Sequence, residues 1–157
     1  MTPFTTIYSK AIRLIGDYKI AELANQDYDS FLEYMRSLLD NSIIEFEGSC
    51  LNSLTVVTEN ETDENGQPIT VYYFEKDLSK EEIKILYKTI ILQWWEQKLQ
   101  DVTVFEGLPT RDFNKIKIDT MFKQKSEYRD KLMEEIDRDT NKYYANNLSA
   151  LPFFGDL

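Results

Sequence analysis

The sequence predicts a mainly α fold: a small bundle of about four helices, one β-hairpin insertion and an extended C-terminal tail. Three observations predict it. From Ser79 to Asp101, Ile83, Leu86, Tyr87, Ile90 and Trp94 recur at spacings of three and four, one face of a helix. From Asp27 to Glu47, a broad apolar stripe (Phe31, Leu32, Met35, Leu38, Leu39, Ile43, Phe46) has the same period. Between these two, Leu54–Thr58 and Ile69–Phe74 turn to β-branched and aromatic residues flanking a run of turn-formers, which reads as a hairpin over about 54–74.

In chain order, residues 5–16 read as a short helix with Ile7, Tyr8, Ala11, Ile12 and Ile15 inward, and Gly16 stops it. Asp17–Ile20 looks extended and Glu22–Gln26 a polar link. The second helix takes its N-cap from Asp27 or Asp29 and ends at Gly48. The hairpin is expected to carry a ten-residue acidic tip, Glu59–Pro68, with Glu59, Glu61, Asp63 and Glu64 in solvent. The helix after it opens with a capping box, Ser79 and Glu82, and has acids in its first turn. Past Ile90 its apolar surface spreads to Ile91, Leu92 and Trp95, so more than one side needs cover, and a second chain is one source of it. Val102–Pro109 reads as an apolar loop. A last helix, capped by Thr110 or Asp112, runs to about Tyr144 with a thin stripe of Phe113, Ile116, Phe122, Tyr128, Leu132 and Ile136. Its charges include Glu127–Lys131 and Glu134–Arg138 at the favourable four-residue spacing. Residues 1–147 are taken as one domain and 148–157 as an apolar tail.

Composition narrows the function. A chain of 157 residues with 42% apolar content can bury a core. Its net charge of −10 is concentrated at the front, since residues 1–78 hold 14 acids and 5 bases. Such a surface repels phosphate, so specific nucleic-acid binding is not expected. There is no histidine, which removes the commonest general base and metal ligand, and the single cysteine, Cys50, allows no internal disulfide. With neither a leader pattern nor an apolar run of about 20 residues, a soluble intracellular product is expected, with no membrane association.

No motif carries catalysis. The paired acids Asp27/Asp29 and Asp137/Asp139 diverge by about 200° on a helix and do not chelate. The Glu59–Gly66 run lacks the ligand series and closing glutamate of a calcium loop. Glu96-Gln97-Lys98 has the residue types of a nuclease tripeptide but ends a helix instead of a strand, and Cys50 reads as a structural thiol. No enzyme, cofactor or metal is therefore expected. Trp94 belongs to the core by its position in the stripe. Trp95 is about 100° round the helix, open to core or subunit contact, and Phe153 and Phe154 are open to their own domain or to a partner.

Three blocks resemble a family of small tailed-bacteriophage proteins. They are Thr6-Ile-Tyr-Ser-Lys-Ala-Ile-Arg-Leu-Ile-Gly-Asp-Tyr18, Leu78-Ser-Lys-Glu-Glu-Ile with Ile91-Leu-Gln-Trp-Trp-Glu-Gln-Lys-Leu99, and Thr120-Met-Phe with Glu127–Arg138 and Tyr144. The family is that of head-to-tail connector (neck or adaptor) proteins. The resemblance covers residues 6–47 and 78–147; the hairpin region 50–75 has no clear match in it, and the tail from Ser149 is longer and more apolar than the family pattern. It implies a helical virion protein, made in the host cytoplasm, that assembles as a twelve-fold homo-oligomeric ring under the portal protein. A tail or second neck protein lies below, and DNA passes through without specific binding. On that footing Leu148, Leu151, Pro152, Phe153, Phe154 and Leu157 are expected at the portal, Trp95, Tyr128, Leu132 and Ile136 between subunits, and Glu59, Glu61, Asp63 and Glu64 facing the lumen. The alternative is an acidic intracellular regulator or inhibitor acting by protein–protein binding.

Overall fold

A computed structural model describes residues 1–62, 66, 68–106 and 112–147, with backbone alone at 101–106, 112–119 and 121. The fold is mainly α with a small three-stranded antiparallel sheet. In order, the described elements are β1 (Thr2–Pro3), α1 (Phe4–Ile15), α2 (Tyr18–Gln26), α3 (Tyr28–Glu47), β2 (Val56–Thr62), β3 (Pro68–Phe74), α4 (Lys80–Glu106) and α5 (Asp112–Asn147). The chain divides into two compact units, Met1–Tyr87 and Lys88–Leu157, and α4 contributes to both.

In the first unit, α1 buries Phe4, Ile7, Tyr8 and Ala11 and stops at Gly16, whose φ of 62° is the left-handed cap that a residue without Cβ adopts at no cost. The next ten residues differ from the extended segment and link that the sequence suggests, because they form α2. Asp17 caps it by accepting from the Lys19 N–H at 2.9 Å, and Ile20 is its one buried side chain. One apolar contact in nine residues leaves no readable period; the cap makes the helix. Asp27 then caps α3, accepting from the Ser30 N–H at 3.1 Å and its hydroxyl at 2.6 Å. These bonds, the hydroxyl first, hold the Asp27 carboxyl below its ordinary value. Helix α3 buries the predicted stripe apart from Leu32, which is half-buried, and Ser42 on that face donates to the Leu38 carbonyl at 2.8 Å.

The sheet has strand order β1-β3-β2. Its third strand is absent from the sequence reading, because Thr2-Pro3 is too short to carry a period; pairing with Phe74 and Tyr73 makes it a strand. The strands of the hairpin also run further than composition implies. The register continues from Val56↔Phe74 to Thr62↔Pro68, so Glu59 and Glu61 belong to β2 and Pro68 to β3, where the sequence places them in a ten-residue tip. Backbone pairing, not side-chain burial, extends the ladder over Thr58–Thr62. The Met1 ammonium meets the Asp77 carboxylate at 2.7 Å, and the Leu78 N–H donates to the Thr2 hydroxyl at 2.9 Å, which ties the start of the chain to the β3–α4 link.

Helix α4 opens on the predicted capping box, with Ser79 N–H to Glu82 at 2.7 Å and Glu82 N–H to the Ser79 hydroxyl at 3.2 Å. It continues through Val102–Glu106, where a loop is expected. Those residues follow the helix because nothing before Gly107 forbids it. Its broad apolar surface is buried within this chain: Leu86 and Ile90 are fully buried, Ile91, Leu92 and Trp94 nearly so.

Candidate functional site

Catalytic chemistry has no visible carrier among the described residues. No group of three acids or cysteines could hold a metal, and no buried side-chain polar atom lacks a partner. The deepest charged group of the first unit, Glu82, is fully buried and saturated. Besides the cap, its carboxylate accepts from the Asn52 amide at 2.7 Å and the Cys50 thiol at 3.4 Å. That constellation staples the β2-side loop to α4, and it makes Cys50 a structural donor.

The two faces of the hairpin carry different side chains. Successive residues of a strand point to opposite sides. Phe74 and Tyr72 share one side, which the helices cover: the Phe4 ring lies 4.8 Å from Phe74 and 5.9 Å from Tyr72, and the Arg36 guanidinium sits 4.0 Å over Tyr72. The opposite side carries Val57, Glu59 and Glu61 from β2, paired with Tyr73, Val71 and Ile69 of β3. Val57, Val71 and Tyr73 are half-buried and Ile69 is 42% exposed. Further out, Thr58–Thr62 and Pro68–Thr70 are exposed throughout. The Tyr73 hydroxyl donates to the Glu61 carboxylate along this open side. That bond, with smaller contributions from burial and the Glu61 and Glu59 charges, has the Tyr73 phenol pushed up to about 12. No lysine or arginine occurs between residues 56 and 74. The result is an apolar strip rimmed by acids. Asp63 and Glu64 lie outside the described residues.

In the second unit, α4 and α5 hold each other through an ion cluster and a ring cluster. The Lys88 ammonium meets Glu135 at 2.6 Å and Asp139 at 2.8 Å. Burial alone would push Lys88 down, but bonds and charge from the two carboxylates outweigh it and hold Lys88 above its ordinary value. The Lys88 bond likewise holds Glu135 below its own. The predicted Glu127–Lys131 and Glu134–Arg138 bridges are not among the described ion pairs; Arg129 instead binds its neighbour Asp130 at 2.7 Å. Trp95 packs edge-on to Trp94 at 4.9 Å and against Tyr128 at 5.1 Å.

The four residues expected between subunits differ in exposure. Of these, Leu132 is buried in its own chain and presents no surface to a neighbour. Trp95 and Ile136 are half-buried. Only Tyr128, 47% exposed, keeps a large free face. Of the thin α5 stripe, Tyr128 meets Trp95 of α4, a contact that sequence spacing cannot distinguish from one left for a partner. The six expected portal residues, Leu148, Leu151, Pro152, Phe153, Phe154 and Leu157, fall outside the described residues.

Compared with protein-family models, curated proteins and solved structures, the chain finds no match. No helix among the described residues is long and apolar enough to cross a membrane.

Proposed function

We propose that this chain is a structural virion protein that forms a homo-oligomeric ring between portal and tail, joins head to tail and continues the DNA channel. The observation that supports it most is one side of the hairpin, where exposed Ile69, Glu59 and Glu61 lie beside half-buried Val57, Val71 and Tyr73. A face of that kind fits protein–protein assembly, and no catalytic group is apparent among the described residues. The sequence blocks that resemble head-to-tail connectors support the same reading, as does an acid excess unsuited to gripping DNA. In this proposal the apolar segment 148–157 reaches the portal, and the chain is no enzyme.

A second reading, an acidic regulator that binds a basic protein, is favoured by one observation: residues 1–87 hold 16 acids against 7 bases. Light scattering separates the two. The full chain is measured alone and with the portal protein of the same genome. A closed multiple of the chain mass on the portal is expected; a chain that stays monomeric under both conditions would overturn the ring.

A further inference from the structure

The open side of the hairpin has a complement elsewhere on the same chain. Tyr128, 47% exposed on α5, has Lys125 three residues before it and Lys131 three residues after it. On a helix these positions flank the tyrosine on one surface. Neither lysine takes part in an ion pair among the described residues. On α5 the exposed Tyr128 thus lies between half-buried Lys125 and exposed Lys131, while on the hairpin exposed Ile69 and half-buried Val71 lie beside exposed Glu59 and Glu61.

We infer that the hairpin's open face in one copy seats on the Tyr128 face of α5 in a second copy. Ile69 and Val71 meet the Tyr128 ring, and Glu59 and Glu61 meet Lys125 and Lys131. The spans agree: two residues of strand separate the glutamates by about 7 Å, and six residues of helix separate the lysines by about 9 Å. Glu61 keeps one carboxylate oxygen for this contact while the other accepts from Tyr73. A hairpin cannot serve as its own partner, because pairing two open faces would set glutamate against glutamate. The contact therefore joins unlike surfaces, and such contacts propagate round a ring or along a filament. The inference rests on the ring reading for its choice of partner.

Charge reversal in both directions tests it. Sedimentation velocity over rising concentration, alone and with portal, compares the wild-type chain with Glu59→Lys/Glu61→Lys and with Lys125→Glu/Lys131→Glu. Each variant is expected to self-associate about tenfold or more weakly, from like charges brought together. An equimolar mixture of the two variants should recover association, because each hairpin then meets a complementary helix on the other chain. The neutral variants Glu59→Gln/Glu61→Gln and Lys125→Gln/Lys131→Gln, checked by circular dichroism, guard against misfolding and should weaken association less. Rings that form as strongly in both reversed variants would overturn this contact and leave the ring reading standing. Recovery when all four reversals share a chain, but not in the mixture, would place the contact within one copy and overturn it too. A wild-type chain that is monomeric alone and with portal would remove both.

Discussion

Glu82 is the residue whose loss the first unit would feel most. Its carboxylate is fully buried and accepts from the Ser79 N–H, the Asn52 amide and the Cys50 thiol. Replacing it by alanine orphans three donors at once. The expected cost of Glu82→Ala is about 3 kcal/mol, read as a lower urea midpoint, while Glu82→Gln, which keeps an acceptor oxygen, should lose less. Equal midpoints for Glu82→Ala and wild type would refute the staple. Half of this site was legible in the sequence, since Ser79 and Glu82 stand at capping-box spacing. The other half was not, because Asn52 and Cys50 lie 30 and 32 residues away and only the fold brings them in. The same holds for Asp27, legible as a cap, whereas Asp17 became one only because the segment after it is helical.

At the level of elements, the pairing of α4 with α5 carries a pH signature. Glu135 sits below its ordinary value of 4.5, so its contribution is present above that pH and is lost as pH falls through the depressed value. Lys88 sits above 10.5, so its contribution is present below that pH and is lost as pH rises through the raised value. Between these limbs the ion cluster is constant. Thermal melts of wild type should therefore lose more stability on acidification below about pH 4.5 than melts of Glu135→Gln do. Parallel acid limbs in the two proteins would show that the bridge contributes nothing. Helix periods were readable wherever a stripe is dense, as in α1, α3 and α4, and unreadable in α2, with one buried side chain. Strand ends escaped for another reason. The ladder runs to Thr62 on polar residues, and hydrogen bonding between backbones leaves no mark in composition.

Across the whole molecule, charge is partitioned: residues 1–87 hold 16 acids and 7 bases, residues 88–157 hold 12 and 11. An excess of that sign over the first unit opposes phosphate at range. Duplex DNA should migrate unchanged in a gel with the chain at moderate salt, and a sequence-independent shift would overturn the proposal of a passive channel wall. The amino-acid sequence by itself determined the mainly α class, the four long helical periods, the hairpin and the uneven charge, because each is written in local spacing or in a sum over residues. Only the tertiary structure decided that much of the apolar surface of α4 is buried, that Tyr128 of α5 meets Trp95, and that Phe4 and Arg36 pack on the Phe74 and Tyr72 side of the hairpin. A period states that a face is apolar. What comes to cover it depends on contacts between residues far apart in the chain, and those have no local signal.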